Sequence, residues 1–119
     1  MTTLTTNDFE QYQLDCAKTA IYPEVGEGTI IAVNYAAIGL SNEAGEVLGK
    51  VKKAWRDDDR EITDERRDAI LDELGDVMWY MARLADELGV SLQQVADRNL
   101  TKLFGRLERG TIGGSGDNR

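Results

Sequence analysis

One pattern, apolar-x-x-acid-x-Gly-acid-apolar, occurs twice in this 119-residue chain. It reads Leu40 with Glu43-Ala44-Gly45-Glu46-Val47, and again Ile70 with Glu73-Leu74-Gly75-Asp76-Val77. In each copy the acids are three apart, which on a helix places them on one face, about 5 to 6 Å from each other at Cβ. Both pairs flank an apolar stripe in the same phase. A fold that packs the two stripes against each other, antiparallel, brings four carboxylates together. At about 6 Å and an effective dielectric of about 20, each like-charge pair costs on the order of 3 kcal/mol, and several such pairs rival the stability of a small domain. Such a cluster is tolerable with a cation in its midst. The competing reading is two solvated helix faces in an acidic chain. Gly45 and Gly75 speak for close packing, because a mid-helix glycine costs about 1 kcal/mol against alanine and needs a reason to be there.

The donor set narrows the cation. Carboxylate oxygens suit Mg²⁺, Mn²⁺ or Ca²⁺, whereas zinc and iron sites recruit His or Cys. This chain has no histidine and one cysteine, so the Glu-x-x-His pairs of a di-iron bundle are absent.

The remaining periodicity predicts an all-α bundle of four helices, with no stretch alternating as an exposed strand would. Asn7 and Asp8 are caps for a first helix carrying Phe9, Tyr12, Cys16 and Ala20, ended by Pro23. A loop with Pro23, Gly26 and Gly28 leads into a second helix over 30–55, with Leu40, Ala44, Val47, Val51 and Trp55 as its stripe. After a polar linker at 56–60, Thr63 or Asp64 caps a third helix with Ile70, Leu74, Val77, Met81, Leu84 and Leu88 facing inward, ended by Gly89. Ser91 and Gln94 form a capping box, and Val90 with Val95 a hydrophobic staple, for a fourth helix reaching about 109. The chain divides into a helical domain over 1–109 and a glycine-rich tail over 110–119. Four helices of this length bury a thin core, which favours a homo-oligomer.

Twenty-two acidic against 14 basic residues give a net charge of −8, which argues against a nucleic-acid-coating surface. The lone Cys16 excludes an internal disulfide framework and reads as a buried small side chain, at home in a reducing, cytoplasmic setting. No signal sequence opens the chain and no apolar run is long enough to span a bilayer, so no membrane partner is expected.

Several residues have two readings. Lys50 and Lys53 continue the acidic face of the second helix, either as surface ion pairs or as cations beside a metal-bound polyphosphate. Tyr80, one turn past Asp76, is either an interface tyrosine or a hydroxyl that touches substrate or orients a carboxylate. Asn99, Lys102, Arg106 and Arg109 form a polar face on the fourth helix, solvated or in contact with phosphate. Tyr12, Tyr22, Tyr35 and Trp55 are core residues or stacking platforms for a base.

With Glu43-x-x-Glu46, a spacer over 47–72, and Glu73-x-x-Asp76, the chain resembles the MazG-like superfamily of all-α nucleoside triphosphate pyrophosphohydrolases. The likeness extends to Asn99-x-x-Lys102-Leu103 and to the tail ending Gly114-Ser115-Gly116-Asp117-Asn118-Arg119. The resemblance implies Mg²⁺-dependent cleavage of (deoxy)nucleoside triphosphates between the α and β phosphates, for nucleotide-pool control. It implies Glu43, Glu46, Glu73 and Asp76 as metal ligands, with Mn²⁺ a possible substitute, and Glu46 or Glu43 as catalytic, Glu46 preferred as general base. Lys50, Lys53, Tyr80, Asn99, Lys102, Arg109 and Arg119 become substrate contacts, and dimers or tetramers are expected. A relative cleaving phosphoribosyl-ATP in histidine synthesis, or a non-enzymatic acidic interaction module, remain as alternatives.

Overall fold

The structure, a computed structural model, describes residues 8–117 and 119. Four helices follow one another with no strand among the described residues: α1 (Phe9–Ala17), α2 (Ile30–Asp57), α3 (Asp64–Glu87) and α4 (Leu92–Glu108). Each starts at a side-chain cap. Asp8 accepts from the Gln11 amide, Thr29 from Ala32 and Thr63 from Arg66, while Ser91 and Gln94 exchange the reciprocal bonds of a capping box. Asn7, the other expected cap of α1, lies outside the described residues.

The first helix is shorter than its periodicity suggests. It ends at Ala17, well before Ala20 and Pro23, where the Lys18 amide turns back to Asp15 O and the Thr19 hydroxyl donates to Cys16 O. Local hydrogen bonds thus stop this helix before proline can. The third ends as expected: Gly89, at φ +73°, lets its own amide reach Asp86 O and the Val90 amide reach Ala85 O, the paired bonds of a Schellman turn.

The frame is an antiparallel hairpin of α2 and α3, whose register is fixed by Asp58 meeting Arg66 at the tip, Lys50 meeting Glu73 midway, and Tyr35 near Tyr80 further along. Alanines allow the approach: Ala32, Ala36 and Ala54 on α2 and Ala82 and Ala85 on α3 are buried. The close-packing glycine is not the one the sequence suggested. A side chain on Gly45 or Gly75 would meet nothing within the chain, whereas a Cβ on Gly39 would collide with the Tyr80 ring. A second small core gathers Cys16, Ala82 and Leu92, with Tyr12 and Trp79 against it, where α1 crosses α3 and α4.

Much of each expected stripe stays open. Val51, Trp55, Leu74 and Leu88 are exposed, as are Leu100, Leu103, Phe104 and Leu107 on α4. Two helices in a hairpin have more apolar face than one short helix can cover, and α4 packs on α1 and α3 without touching α2. The radius of gyration, 17.1 Å, exceeds the value near 13.5 Å of a compact domain this long. Among the described residues no helix is long and apolar enough to cross a membrane.

Candidate metal centre

The hairpin register brings Glu43 of α2 opposite Glu73 and Asp76 of α3, and one carboxylate oxygen from each lies within 4.8 Å of the others. Glu43 and Glu73 are half-buried and Asp76 is exposed, so the group sits at the rim of the helix seam. Burial first, then the Glu73 carboxyl, then the charges of Asp76, Glu73 and Glu46, hold the Glu43 carboxyl above its ordinary value. The cluster is short of positive charge. Lys50 is the cation that reaches it, with Nζ 3.9 Å from Glu73 Oε1.

Glu46 stands apart from the three. It is exposed, one turn further along α2, and adds to the field at Glu43 without joining the convergent oxygens. The two acidic words therefore supply three convergent acids and one neighbour. Lys53 is exposed near the end of α2, where its charge is felt by Asp57.

Tyr80 lies one turn beyond Asp76, half-buried with its ring over Gly39. Burial, then the Tyr35 hydroxyl beside it, then the carboxylates of Glu43 and Asp76, raise its phenol above the usual value. Its neighbours extend into an aromatic ladder: Trp79 meets Tyr80 edge-on at 4.9 Å, and Tyr35 stacks on Tyr22 at 4.9 Å between ring centres. The sequence pointed to Tyr22, Tyr35 and Tyr80 singly and not to Trp79, and carried no signal of their stacking order.

The residues of α4 sit elsewhere. Asn99 and Lys102 are exposed and make no hydrogen bond or ion pair with the acids among the described residues. Arg109 donates to the main-chain oxygen of Arg119 at 2.9 Å, and Arg119 to that of Gly116, so both fold the tail back along the end of α4. Arg106 is the buried anchor of that tail, donating to Asp117 O at 3.2 Å.

Sequence reasoning missed a second carboxylate site, at the far end of α3. Glu87, wholly buried, accepts from the Tyr22 hydroxyl and from the amides of Gly26 (2.8 Å) and Gly28 (2.9 Å), with Arg83 3.5 Å away. Burial alone would raise this carboxyl, but the Tyr22 hydroxyl, the two amides and Arg83 outweigh it and hold it below the usual value. Gly26 and Gly28 both have positive φ, at +80° and +67°, which is how a seven-residue stretch turns two amides toward one side chain. Glycines spaced by two in the loop were the available clue.

A family model described as the MazG nucleotide pyrophosphohydrolase domain matches residues 34–110, from the first turns of α2 through the end of α4. The chain is 53% identical over 109 residues to the Gene 37 protein of Mycobacterium phage L5, covering 91% of this chain and 96% of that one. No solved structure matches it. With the matched span holding all three convergent acids, the whole of α3 and all but the first turn of α2, the chain belongs to the MazG nucleotide pyrophosphohydrolase domain family.

Proposed function

We propose that the protein hydrolyses (deoxy)nucleoside triphosphates to the monophosphate and pyrophosphate in a Mg²⁺-dependent reaction, adjusting a nucleotide pool. The observation that carries this reading is the convergence of Glu43, Glu73 and Asp76 across the α2–α3 seam in a chain of this family. Three carboxylates with one lysine nearby and no histidine fit a hard divalent cation, Mg²⁺ with Mn²⁺ as substitute. Bound there, the ion would neutralise phosphate charge and polarise the anhydride.

The chain's own groups do the rest. Glu43, Glu73 and Asp76 hold the cation, with Glu46 a fourth ligand or the base that takes a proton from the attacking water. The water oxygen bonds to phosphorus, the α–β bridging bond breaks, and pyrophosphate leaves with the electron pair. Lys50 and Lys53 offset charge on the phosphates, and the Tyr80 hydroxyl, at the edge of the acids, contacts substrate.

Asn99, Lys102, Arg109 and Arg119 complete the site from a second copy in a homodimer or homotetramer. Support for assembly comes from the open apolar faces of α2, α3 and α4, the expanded radius, and the separation of α4 from α2. The test is a chromatographic panel of ordinary and modified triphosphates with phosphoribosyl-ATP included. Monophosphate plus pyrophosphate from a triphosphate is the expected outcome; turnover of phosphoribosyl-ATP alone, or of nothing, contradicts it.

A further inference from the structure

Tyr12, Tyr22, Tyr35 and Trp55, the four rings with a base-stacking reading, are treated differently by the structure. Tyr12 packs against the Cys16–Ala82–Leu92 core. Tyr22 is 5% exposed. Trp55 stands near the hairpin tip, about 18 Å along α2 from Glu43, with the Arg60 guanidinium 4.6 Å over its ring. Of the four, Tyr35 combines an open setting, 44% exposed, with a place next to Tyr80, the ring that adjoins the acids.

Its setting is that of a platform. Tyr22 lies under one face, nearly parallel at 15°, so the surface left open is the opposite face and the edge. That floor cannot yield, because the Tyr22 hydroxyl is pinned by buried Glu87 and by Arg83 Nε at 3.1 Å. Tyr80 bridges from this ring to the carboxylates: it is 6.4 Å from Tyr35 and within the field of Glu43 and Asp76. Tyr35 and Glu43 are about 12 Å apart along α2, the order of separation between a nucleotide's base and its outer phosphates. A ring held still before the ligand arrives loses little entropy on stacking.

We infer that the open face of Tyr35 seats the base of a nucleoside triphosphate whose phosphates are held at Glu43, Glu73 and Asp76. The inference rests on the triphosphate reading above and adds to it a base-contacting residue, with Tyr22, Glu87 and Arg83 as the support that keeps it in position. Stacking on a tyrosine accepts any base, so Tyr35 supplies affinity for the nucleoside and leaves the choice among bases to other groups.

The test separates base from phosphate. Binding is measured by calorimetry in Mg²⁺ with two probes, inorganic tripolyphosphate and α,β-methylene deoxynucleoside triphosphates of all four bases. Tyr35→Ala is expected to weaken the best-bound nucleotide analogue about tenfold or more while tripolyphosphate binds within about twofold of the unaltered protein. Tyr35→Phe, which keeps the ring, is expected to bind both as before. Unchanged nucleotide affinity in Tyr35→Ala, or equal loss of both probes, overturns the assignment. If the unaltered protein binds tripolyphosphate but gains nothing from a base, the assignment falls and the phosphate site stands. If it binds neither probe, both fall together.

Discussion

Helix α3 carries two carboxylate sites, about three turns apart, that are opposite in electrostatic design. At its C-terminal end Glu87 is buried with a hydroxyl, two amides and a guanidinium around it, and its carboxyl is held below the ordinary value. Near its middle, Glu73 and Asp76 meet Glu43 with one lysine 3.9 Å away, and the Glu43 carboxyl is held above the ordinary value. The same functional group is a finished structural joint in one place and an unneutralised cluster in the other. Burial does not explain the opposite shifts, since the joint is the more buried and yet has the lowered carboxyl. The count of donors does. A carboxylate whose lone pairs are filled by protein has nothing left to offer a ligand, whereas three carboxylates that repel one another lower their energy by taking one up.

That contrast is broken most sharply by substituting each site in turn. Glu73→Gln removes a metal donor and a repelling charge together. Hydrolysis is expected to fall at least about a hundredfold, while circular dichroism and metal-free stability stay as they were or improve. Near-normal turnover in that variant would place the chemistry elsewhere.

Glu87→Ala is expected to do the reverse. It leaves the buried Tyr22 hydroxyl and two loop amides without their acceptor and Arg83 without one of its two carboxylates, at a cost of about 3 kcal/mol in urea unfolding. The pH dependence sharpens the difference further. Because the folded Glu87 carboxyl lies below its ordinary value near 4.5, its stabilisation is complete above that pH and is lost as pH falls through the folded value. Glu43 lies above 4.5 when folded, so its ionisation removes stability as pH rises past that point in metal-free solution. The stability gap between the unaltered protein and Glu87→Gln should therefore close as pH falls below about 4.5, whereas the gap to Glu43→Gln should open as pH rises above it. Identical pH profiles for the two would dissolve the distinction.

The sequence made the helices legible because their ends are chemical. Thr63, and Ser91 with Gln94, cap where their side chains predict, and Gly89 ends α3 through the positive φ that glycine permits. The end of α1 was less legible, since Thr19 and Lys18 stop it by local bonds that compete weakly with a helix and leave little mark in composition. Of the four acids that the spacing singled out for the candidate metal centre, the structure brings three together. Spacing tells which face of its own helix an acid occupies, but the level at which the partner helix crosses is set by tertiary packing. That level brings Glu43 to Glu73 and Asp76 and leaves Glu46 a turn away.

The same limit explains the glycines. Gly45 and Gly75 drew attention because they interrupt the acidic words, yet the glycine that the α2–α3 seam requires is Gly39, whose partner ring at Tyr80 lies across it. The Glu87 joint left no more than its loop glycines as a clue, for a related reason: those glycines and the acid they bind are about sixty residues apart, and nothing periodic links them.

The central claim is that Glu43, Glu73 and Asp76 are a cation site and Glu87 is not. Calorimetric titration of the metal-free protein with Mg²⁺ tests it directly. The account predicts a saturable site at millimolar Mg²⁺ that Glu73→Gln abolishes and Glu87→Gln, where it folds, retains. Heat that does not saturate in the unaltered protein, or a site that survives Glu73→Gln undiminished, would contradict it.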